Sequence, residues 1–328
     1  MKYRKLGKTG LNVSEVSLGT WQVGGGWGGS FDDKVASGII HEAIDQGINF
    51  IDTADVYDAG MSEAAVGKII RERKEEVFVA TKCGRQIQPH VSEGYTPKVL
   101  RGYVEGSLRN MNLDTIDLIQ LHCPPTEVYH RPEIFGLFED LKKEGKIKNM
   151  GVSVEKVDEA LLALDYQNVT TVQVIFNMFR PKPSEEFFGQ ARSKDCGIIV
   201  RVPLASGLLS GKIDGDTTFH PEDHRNFNRN GEAFDKGETF SGINLDRGIE
   251  AVSELKQLFG DPAPLAALAI RWVLMFEEVS TVIPGASKPE QVMANVKAAS
   301  IAPLTNEEMA AVRDIYDKYF KAEIHPQW

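Results

Sequence analysis

Along the chain, short runs of β-branched and apolar residues alternate with longer stretches whose apolar positions recur at helical spacing. The short runs are Val16–Leu18, Asn49–Asp52, Val77–Lys82, Asp117–Leu121, Asn149–Val152, Thr171–Val174, Ile198–Val202 and Thr281–Ile283, and each has polar or glycine flanks that bound a strand. Between them, Asp32 opens a helix that Gly47 closes, Ser62 opens the next, and Thr96–Pro97 begins a third as an N-cap followed by proline. Leu137 and Leu141 fit one helix face, with Gly145 as its stop. Ahead of the first unit, Lys2–Lys5 and Asn12–Val16 read as a hairpin.

Parallel strands need crossover helices, and eight strand–helix units close into a (β/α)8 barrel of the TIM type. The expected fold is therefore α/β, as a single domain over residues 1–328 with no interdomain linker. In such a barrel, chemistry belongs just after the strands, at their C-terminal ends. Two segments depart from the repeat. Ala205–Asn244, after the seventh strand, is rich in Gly, Asp, Asn and Phe without sustained periodicity, which predicts either a flexible lid over a cofactor or substrate or a disordered insertion. After Pro303 comes an amphipathic helix (Met309, Val312, Ile315, Tyr316, Tyr319) and a tail ending at Trp328.

Charge narrows the partners. Lys+Arg number 37 against 47 Asp+Glu, a formal net charge of -10, which argues against binding to a nucleic-acid backbone. No apolar run approaches the roughly 20 residues that span a bilayer, and Met1–Gly7 lacks the apolar stretch of a secretory signal, so a cytoplasmic protein without membrane partners is expected. Cys83, Cys123 and Cys196 are odd in number and far apart, as reduced thiols are. No oligomeric state is implied.

One motif competes with the barrel. Gly24-Gly25-Gly26-Trp27-Gly28-Gly29 satisfies G-x-G-x-x-G, and Asp52 follows at a strand end, as in a Rossmann dinucleotide site. However, Thr20–Val23 separate the glycines from the strand, and the helix starts only at Asp32. A phosphate-cradling turn runs directly from strand into helix, so this stretch reads as a flexible loop at the pocket mouth.

Asp52, Lys82 and His122 fall at strand C-terminal ends, and Tyr57 lies just beyond one, so a barrel brings all four to one mouth. Carbonyl reduction needs a hydride donor and an acid for the emerging alkoxide; a phenol beside an ammonium suits that role, because the positive charge lowers the phenol pKa. Lys82 would do this for Tyr57, with Asp52 pairing the lysine and His122 hydrogen-bonding the carbonyl oxygen.

In order, spacing and residue type, Phe50-Ile51-Asp52-Thr53-Ala54-Asp55-Val56-Tyr57, Ser62-Glu63, Val66-Gly67, Thr81-Lys82 and Gln120-Leu121-His122 resemble the aldo-keto reductase family. The likeness continues through Gly151-Val152-Ser153, Gln173, Phe176-Asn177, Pro203-Leu204, Gly207–Lys212 and Ile283-Pro284-Gly285-Ala286. It implies a catalytic tetrad of Asp52, Tyr57, Lys82 and His122, with Tyr57 as general acid in reduction and direct hydride transfer without a metal. It further implies a nicotinamide site with Gly19, Thr20 and Trp21 near the ring, Asp52 beside it, and Ser153 and Gln173 on the carboxamide. Pro203, Leu204, Gly207, Leu209, Ser210 and Lys212 belong to the loop over the pyrophosphate; Gly285, Ser287, Lys288, Gln291 and Asn295 surround the adenosine end. Backbone amides at a helix start, with Ser287 and Lys288, suit a 2′-phosphate, which makes NADP(H) the expected cofactor and NAD(H) the alternative.

Three departures qualify the resemblance. Arg201 stands where family members often stack an aromatic residue on the nicotinamide, and its planar guanidinium offers a substitute plate. Val154 replaces a common Asn, and Gln291 a common Arg. A non-catalytic NADP(H)-binding barrel serving as a regulatory or interaction subunit is the second class, which the intact tetrad disfavours. A metal hydrolase is the third: His220-Pro221-Glu222-Asp223-His224 contains a proline inside its would-be metal helix, and His41-Glu42 lacks a partner histidine at 45, so no metal is expected. For substrate, Trp21, Trp27, Tyr57, His122 and Phe179 suggest aromatic walls and a polar floor suited to a sugar or polyol-derived aldehyde or ketone, with a hydrophobic carbonyl as competitor. His224, Arg225 and Trp328 are further candidates for the mouth.

Overall fold

The structure is a computed structural model that describes residues 1–260 and 262–328. An antiparallel pair, β1 (Tyr3–Lys5) and β2 (Asn12–Ser14), leads into eight parallel strands: β3 (Leu18–Gly19), β4 (Phe50–Asp52), β5 (Phe78–Cys83), β6 (Ile116–His122), β7 (Ile147–Ser153), β8 (Val169–Ile175), β9 (Gly197–Arg201) and β10 (Val279–Val282). Each pairs with the next in sequence order. Parallel bridges Val16–Val282 and Gly19–Gly285 join the two ends, with the Ser17 amide donating to the Val282 carbonyl at 2.8 Å, and the barrel is closed. Closure removes both sheet edges, which explains why a two-residue β3 suffices.

Helices α1 (Asp33–Asp45), α2 (Met61–Glu72), α3 (Pro97–Met111), α4 (Pro132–Lys143), α5 (Val157–Ala163) and α6 (Phe187–Ser193) follow successive strands. The short α7 (His224–Phe227), then α8 (Leu245–Phe259) and α9 (Leu265–Leu274), lie between β9 and β10; α10 (Pro289–Lys297), α11 (Asn306–Tyr316) and α12 (Ala322–Ile324) complete the chain. Asp32 caps α1 by accepting from the Lys34 and Val35 amides at 2.8 and 3.1 Å, and Thr96 caps α3 through the Val99 amide at 3.3 Å. Ser62 does not open α2 as expected: Gly60 in the left-handed region stands at the cap, and Ser62 inside the helix bonds Thr20 and Thr53 instead.

Inward-facing positions change character along the barrel axis. Leu6, Leu11 and Val13 of the hairpin region cluster with Phe50, Ala80, Leu118, Ile199 and Ile283, so the N-terminal end is plugged by apolar side chains. Two residues further along the strands, the same inward face carries Asp52 after Phe50, Lys82 after Ala80, Gln120 after Leu118 and Arg201 after Ile199. The period of two in a strand thus stacks a polar layer on an apolar floor. A doubly wound dinucleotide fold is excluded by this topology, and Gly24–Gly29 forms turns in the long loop between β3 and α1.

Residues 205–244 are neither helical throughout nor loose. Short turns at Ala205–Ser210, Lys236–Glu238 and Phe240–Gly242 flank α7, and Phe240 and Ser241 are buried. Beyond α11 the tail folds back, placing the Arg180 guanidinium 3.9 Å from the Trp328 ring centroid and burying both side chains.

Candidate active site

Asp52 at the end of β4 and Lys82 on β5 form an ion pair inside the barrel, where both are about fully enclosed. The Lys82 ammonium has three protons and three acceptors: Asp52 Oδ1, the Thr53 carbonyl at 2.8 Å and the Tyr57 hydroxyl at 3.5 Å. Burial works against its charge, but Asp52 and then Tyr57 outweigh burial and hold the ammonium above its ordinary value. Asp52 Oδ2 accepts from Gln120 Nε2 at 3.0 Å and from Gln173 Nε2 at 2.8 Å.

Tyr57 is half-buried on the turn between β4 and α2, where Asp58 and Ala59 both take left-handed backbone angles. Its ring faces His122 edge-on at 6.1 Å. The structure corrects the expected direction of its pKa: burial raises the phenol above its ordinary value, and the Lys82 ammonium offsets only part of that rise. Burial, then the charges of Lys82, Arg85 and Arg201, drive His122 well below the ordinary imidazole range, so the ring is neutral at physiological pH. A neutral imidazole beside a protonated phenol is a pair of hydrogen-bond donors for one oxygen atom.

Trp21 stacks against Tyr57, with ring centroids 6.2 Å apart and an interplanar angle of 18°, and Trp27 meets Trp21 edge-on at 5.3 Å. The 205–244 insertion covers this aromatic wall. His224 lies 4.7 Å from Trp21 and 4.2 Å from Trp27, Arg225 covers Trp27 at 4.8 Å, and Phe234 approaches Trp21 at 6.2 Å. Burial takes His224 down to about 4, so it packs as a neutral ring. Phe179, grouped with these from sequence, lies elsewhere: its amide bonds the Asn177 side chain, and its ring packs on Phe320 at 4.9 Å in the core. Trp328 likewise packs beside Gly237 and Gly242 and on Arg180.

Arg201 is committed to ion pairs. Its guanidinium donates to Glu155 at 2.9 Å and to the Val154 carbonyl at 3.0 Å, and lies 3.7 Å from Glu238; Arg85 stands 3.5 Å from Glu155 and 3.2 Å from Glu238. Burial disfavours charge on Glu155, yet Arg201, the Glu238 carboxyl and Arg85 hold it below the usual range. Burial and then the neighbouring Glu155 push Glu238 up to about 7, against the opposing charges of Arg201 and Arg85. Cys123, Glu155 and Glu238 offer ligand atoms within 4.8 Å of one another, but guanidiniums already occupy the carboxylates. His220 sits beside Gly28, apart from that group.

Ser153 and Gln173 are direct partners in the register of β7 and β8. Among the described residues Ser153 Oγ accepts only the Cys123 thiol, at 3.6 Å, and Gln173 directs its nitrogen to Asp52, which leaves a hydroxyl donor beside an amide oxygen. That pair is complementary to a primary carboxamide, so a nicotinamide fits here. Gly19 lines the barrel seam, and the Thr20 hydroxyl is spent on the Asp52 carbonyl at 3.1 Å. Pro203 and Leu204 lie just ahead of the insertion, Gly207 turns it in the left-handed region, Leu209 is in the core, Ser210 Oγ accepts from the Lys212 amide, and the Lys212 side chain is exposed. At the other end Gln291 Oε1 accepts from the Ser287 amide at 2.7 Å and hydroxyl at 3.1 Å, Asn295 bonds the Gly285 carbonyl, and Lys288 is exposed ahead of α10. Gly285 approaches Gln22 so closely that a Cβ would lie 2.6 Å from its amide nitrogen.

Sequence reasoning missed Gln120, Arg85, Glu155 and Glu238. The first three carried a signal: Gln120 precedes His122 by one strand period, and Arg85 and Glu155 follow strand ends. Glu238 sits in an aperiodic segment and carried none.

The sequence profile of the Aldo/keto reductase family matches residues 15–317, and the chain belongs to that family of oxidoreductases, which interconvert carbonyls and alcohols with nicotinamide cofactors. It is 31% identical over 324 residues to the NADH-specific methylglyoxal reductase of Escherichia coli (strain K12), covering 92% of this chain and 94% of that one. Among solved structures, the holo form of aldo-keto reductase AKR11C1 from Bacillus halodurans superimposes with a TM-score of 0.77 at 29% identity, covering 96% of both chains. The glycerol dehydrogenase AKR11B4 from Gluconobacter oxydans gives 0.75 at 30% identity, over 97% of this chain and 96% of that one.

Proposed function

We propose that the protein reduces small, oxygen-rich aldehydes or ketones with NADP(H), using Tyr57 as the proton donor. The observation that carries this reading is the Lys82 ammonium, which donates to the Tyr57 oxygen and so leaves the phenol proton free to point outward. Bound cofactor supplies the hydride. As charge gathers on the substrate oxygen, Tyr57 transfers its proton and Lys82 stabilises the phenolate left behind, while Asp52 keeps the lysine in place. His122, neutral, donates a second hydrogen bond to the same oxygen and orients the carbonyl. Ser153 and Gln173 hold the carboxamide. In the oxidation of an alcohol the same phenolate accepts the proton.

The exposed Lys288 at the start of α10 favours a 2′-phosphate, which supports NADP(H) over NAD(H), the cofactor in the name of the E. coli relative. Small polar substrates are favoured because the aromatic wall of Trp21 and Phe234 faces a charged group of Arg85, Arg201, Glu155 and Glu238. The names of the methylglyoxal and glycerol enzymes agree with that polarity.

The test follows NADPH and NADH oxidation with a panel that includes methylglyoxal and glyceraldehyde, comparing native protein with Tyr57→Phe. Loss of the acid should lower kcat by about 10²–10⁴-fold and leave the cofactor Kd nearly unchanged. Tight cofactor binding by the native chain without turnover of any carbonyl or alcohol would instead favour a non-catalytic subunit.

A further inference from the structure

Gln120 has no part in the chemistry just described, yet it lies fully buried in the polar layer with its side chain wedged between two groups that have one. Its Nε2 donates to Asp52 Oδ2 at 3.0 Å, and its Oε1 accepts from Gln173 Nε2 at 3.2 Å. Donor and acceptor bookkeeping leaves one arrangement. An ionised carboxylate only accepts, so both amides must turn their nitrogens towards Asp52. The two N–H groups of Gln173 are then consumed by Asp52 Oδ2 and Gln120 Oε1, and its own carbonyl oxygen is forced to face away from both. If Gln120 were absent, Gln173 would keep one anchor and could rotate about it.

We infer that Gln120 is a positioning residue that joins the Asp52–Lys82 pair to Gln173, fixing at once the lysine that serves Tyr57 and the amide oxygen that receives the nicotinamide carboxamide. This rests on the function proposed above and deepens it: proton donor and cofactor clamp are set by one buried network. Its members come from β4, β5, β6 and β8, so no single loop movement can alter one half alone.

Three measurements on the full-length protein test the inference. Gln120→Met conserves volume and removes both hydrogen bonds. It should weaken NADPH binding, read by nicotinamide fluorescence, by about five- to tenfold, the worth of roughly one neutral hydrogen bond. It should also move the basic limb of the kcat–pH profile for reduction upward: Asp52, relieved of one donor, holds Lys82 more tightly, Tyr57 loses part of its ammonium support, and reduction persists until the phenol ionises at higher pH. Gln120→Glu supplies a variant of nearly identical shape. Its protonated form can still donate to Asp52 and accept from Gln173; its ionised form sets a second negative charge against Asp52, which drives the two carboxylates apart and pulls Gln173 from its place, so its NADPH affinity should fall as pH rises, a dependence that native protein lacks over the same range.

Unchanged affinity and an unmoved pH limb in Gln120→Met, whether or not its Tm falls, overturn the inference and leave the functional proposal standing. The same holds if Gln120→Glu binds NADPH equally at all pH values. If native protein binds neither NADPH nor NADH, both proposals fall together.

Discussion

Desolvation decides the protonation of the site's aromatic groups. Lys82 is close enough to Tyr57 to favour phenolate, but the hydroxyl is enclosed, and the balance leaves it above the ordinary phenol value. A phenol kept protonated is the form a reductase needs. His122 experiences burial and three nearby cations, all pushing the same way, and stays neutral. Consequently the kcat–pH profile for reduction should show no acid limb from His122 between about pH 5 and 8. A limb near the ordinary histidine value that is present in native protein and absent from His122→Gln would contradict this assignment.

Asp55 presents the opposite sign. Burial and then Glu63 push its carboxyl up to about 7, against the weaker opposing pull of Gln86, the Val56 amide and Lys82. A raised carboxyl pKa in the folded state means that the folded protein holds a proton the unfolded chain has released, so stability declines as pH rises from the ordinary carboxyl value towards 7. Asp55→Asn should remove that decline. Its unfolding free energy should exceed the native value at about pH 8 by on the order of 1–3 kcal/mol, and the two should converge near pH 4, where both folded side chains are uncharged.

At the scale of elements, the motif residue Gly67 has a packing explanation. A Cβ at that position of α2 would lie 2.1 Å from the Met111 carbonyl oxygen at the end of α3, so the two helices meet through bare backbone. Gly67→Ala raises helix propensity yet should destabilise the protein, by about 1–3 kcal/mol in denaturant titration, because rigid backbone cannot yield. A stabilised variant would show that α2 can shift freely. Such a shift would matter for activity, since α2 begins directly after the turn that carries Tyr57.

The whole molecule combines a rigid barrel with a cover. The insertion reaches the mouth through His224, Arg225 and Phe234, and through Glu238, whose carboxylate shares Arg85 and Arg201 with Glu155. With a folded-state value of about 7 against the ordinary 4.5, ionising Glu238 costs the closed arrangement stability as pH rises. Hydrogen exchange corrected for intrinsic rates should therefore quicken in residues 228–242 between about pH 5 and 7 and level off above that. Glu238→Gln, which mimics the protonated carboxyl, should hold the slow rates throughout. Equal pH dependence in both proteins would assign the effect elsewhere.

How much of this was legible beforehand follows from the range of the interactions. The eight strands, the caps at Asp32 and Thr96 and the coming together of Asp52, Tyr57, Lys82 and His122 depend on periodicity and on chain order, and both are written locally. Phe179 was misplaced because Asn177 turns the chain there and a helix from the far end of the sequence covers the ring. Arg201 read as a flat plate for a nicotinamide; its ion pairs with two carboxylates, one of them in a segment with no pattern at all, were not legible there.

The sequence by itself determined the barrel, the inward polar layer and which residue types meet at its mouth, because strand period and crossover order act over a few residues. Tertiary structure alone decided the protonation of Tyr57 and His122, the burial of Glu238 and the orientation of Gln120 and Gln173. Those are properties of a low-dielectric interior, set by which donors, acceptors and charges share it, and no separation along the chain encodes that company.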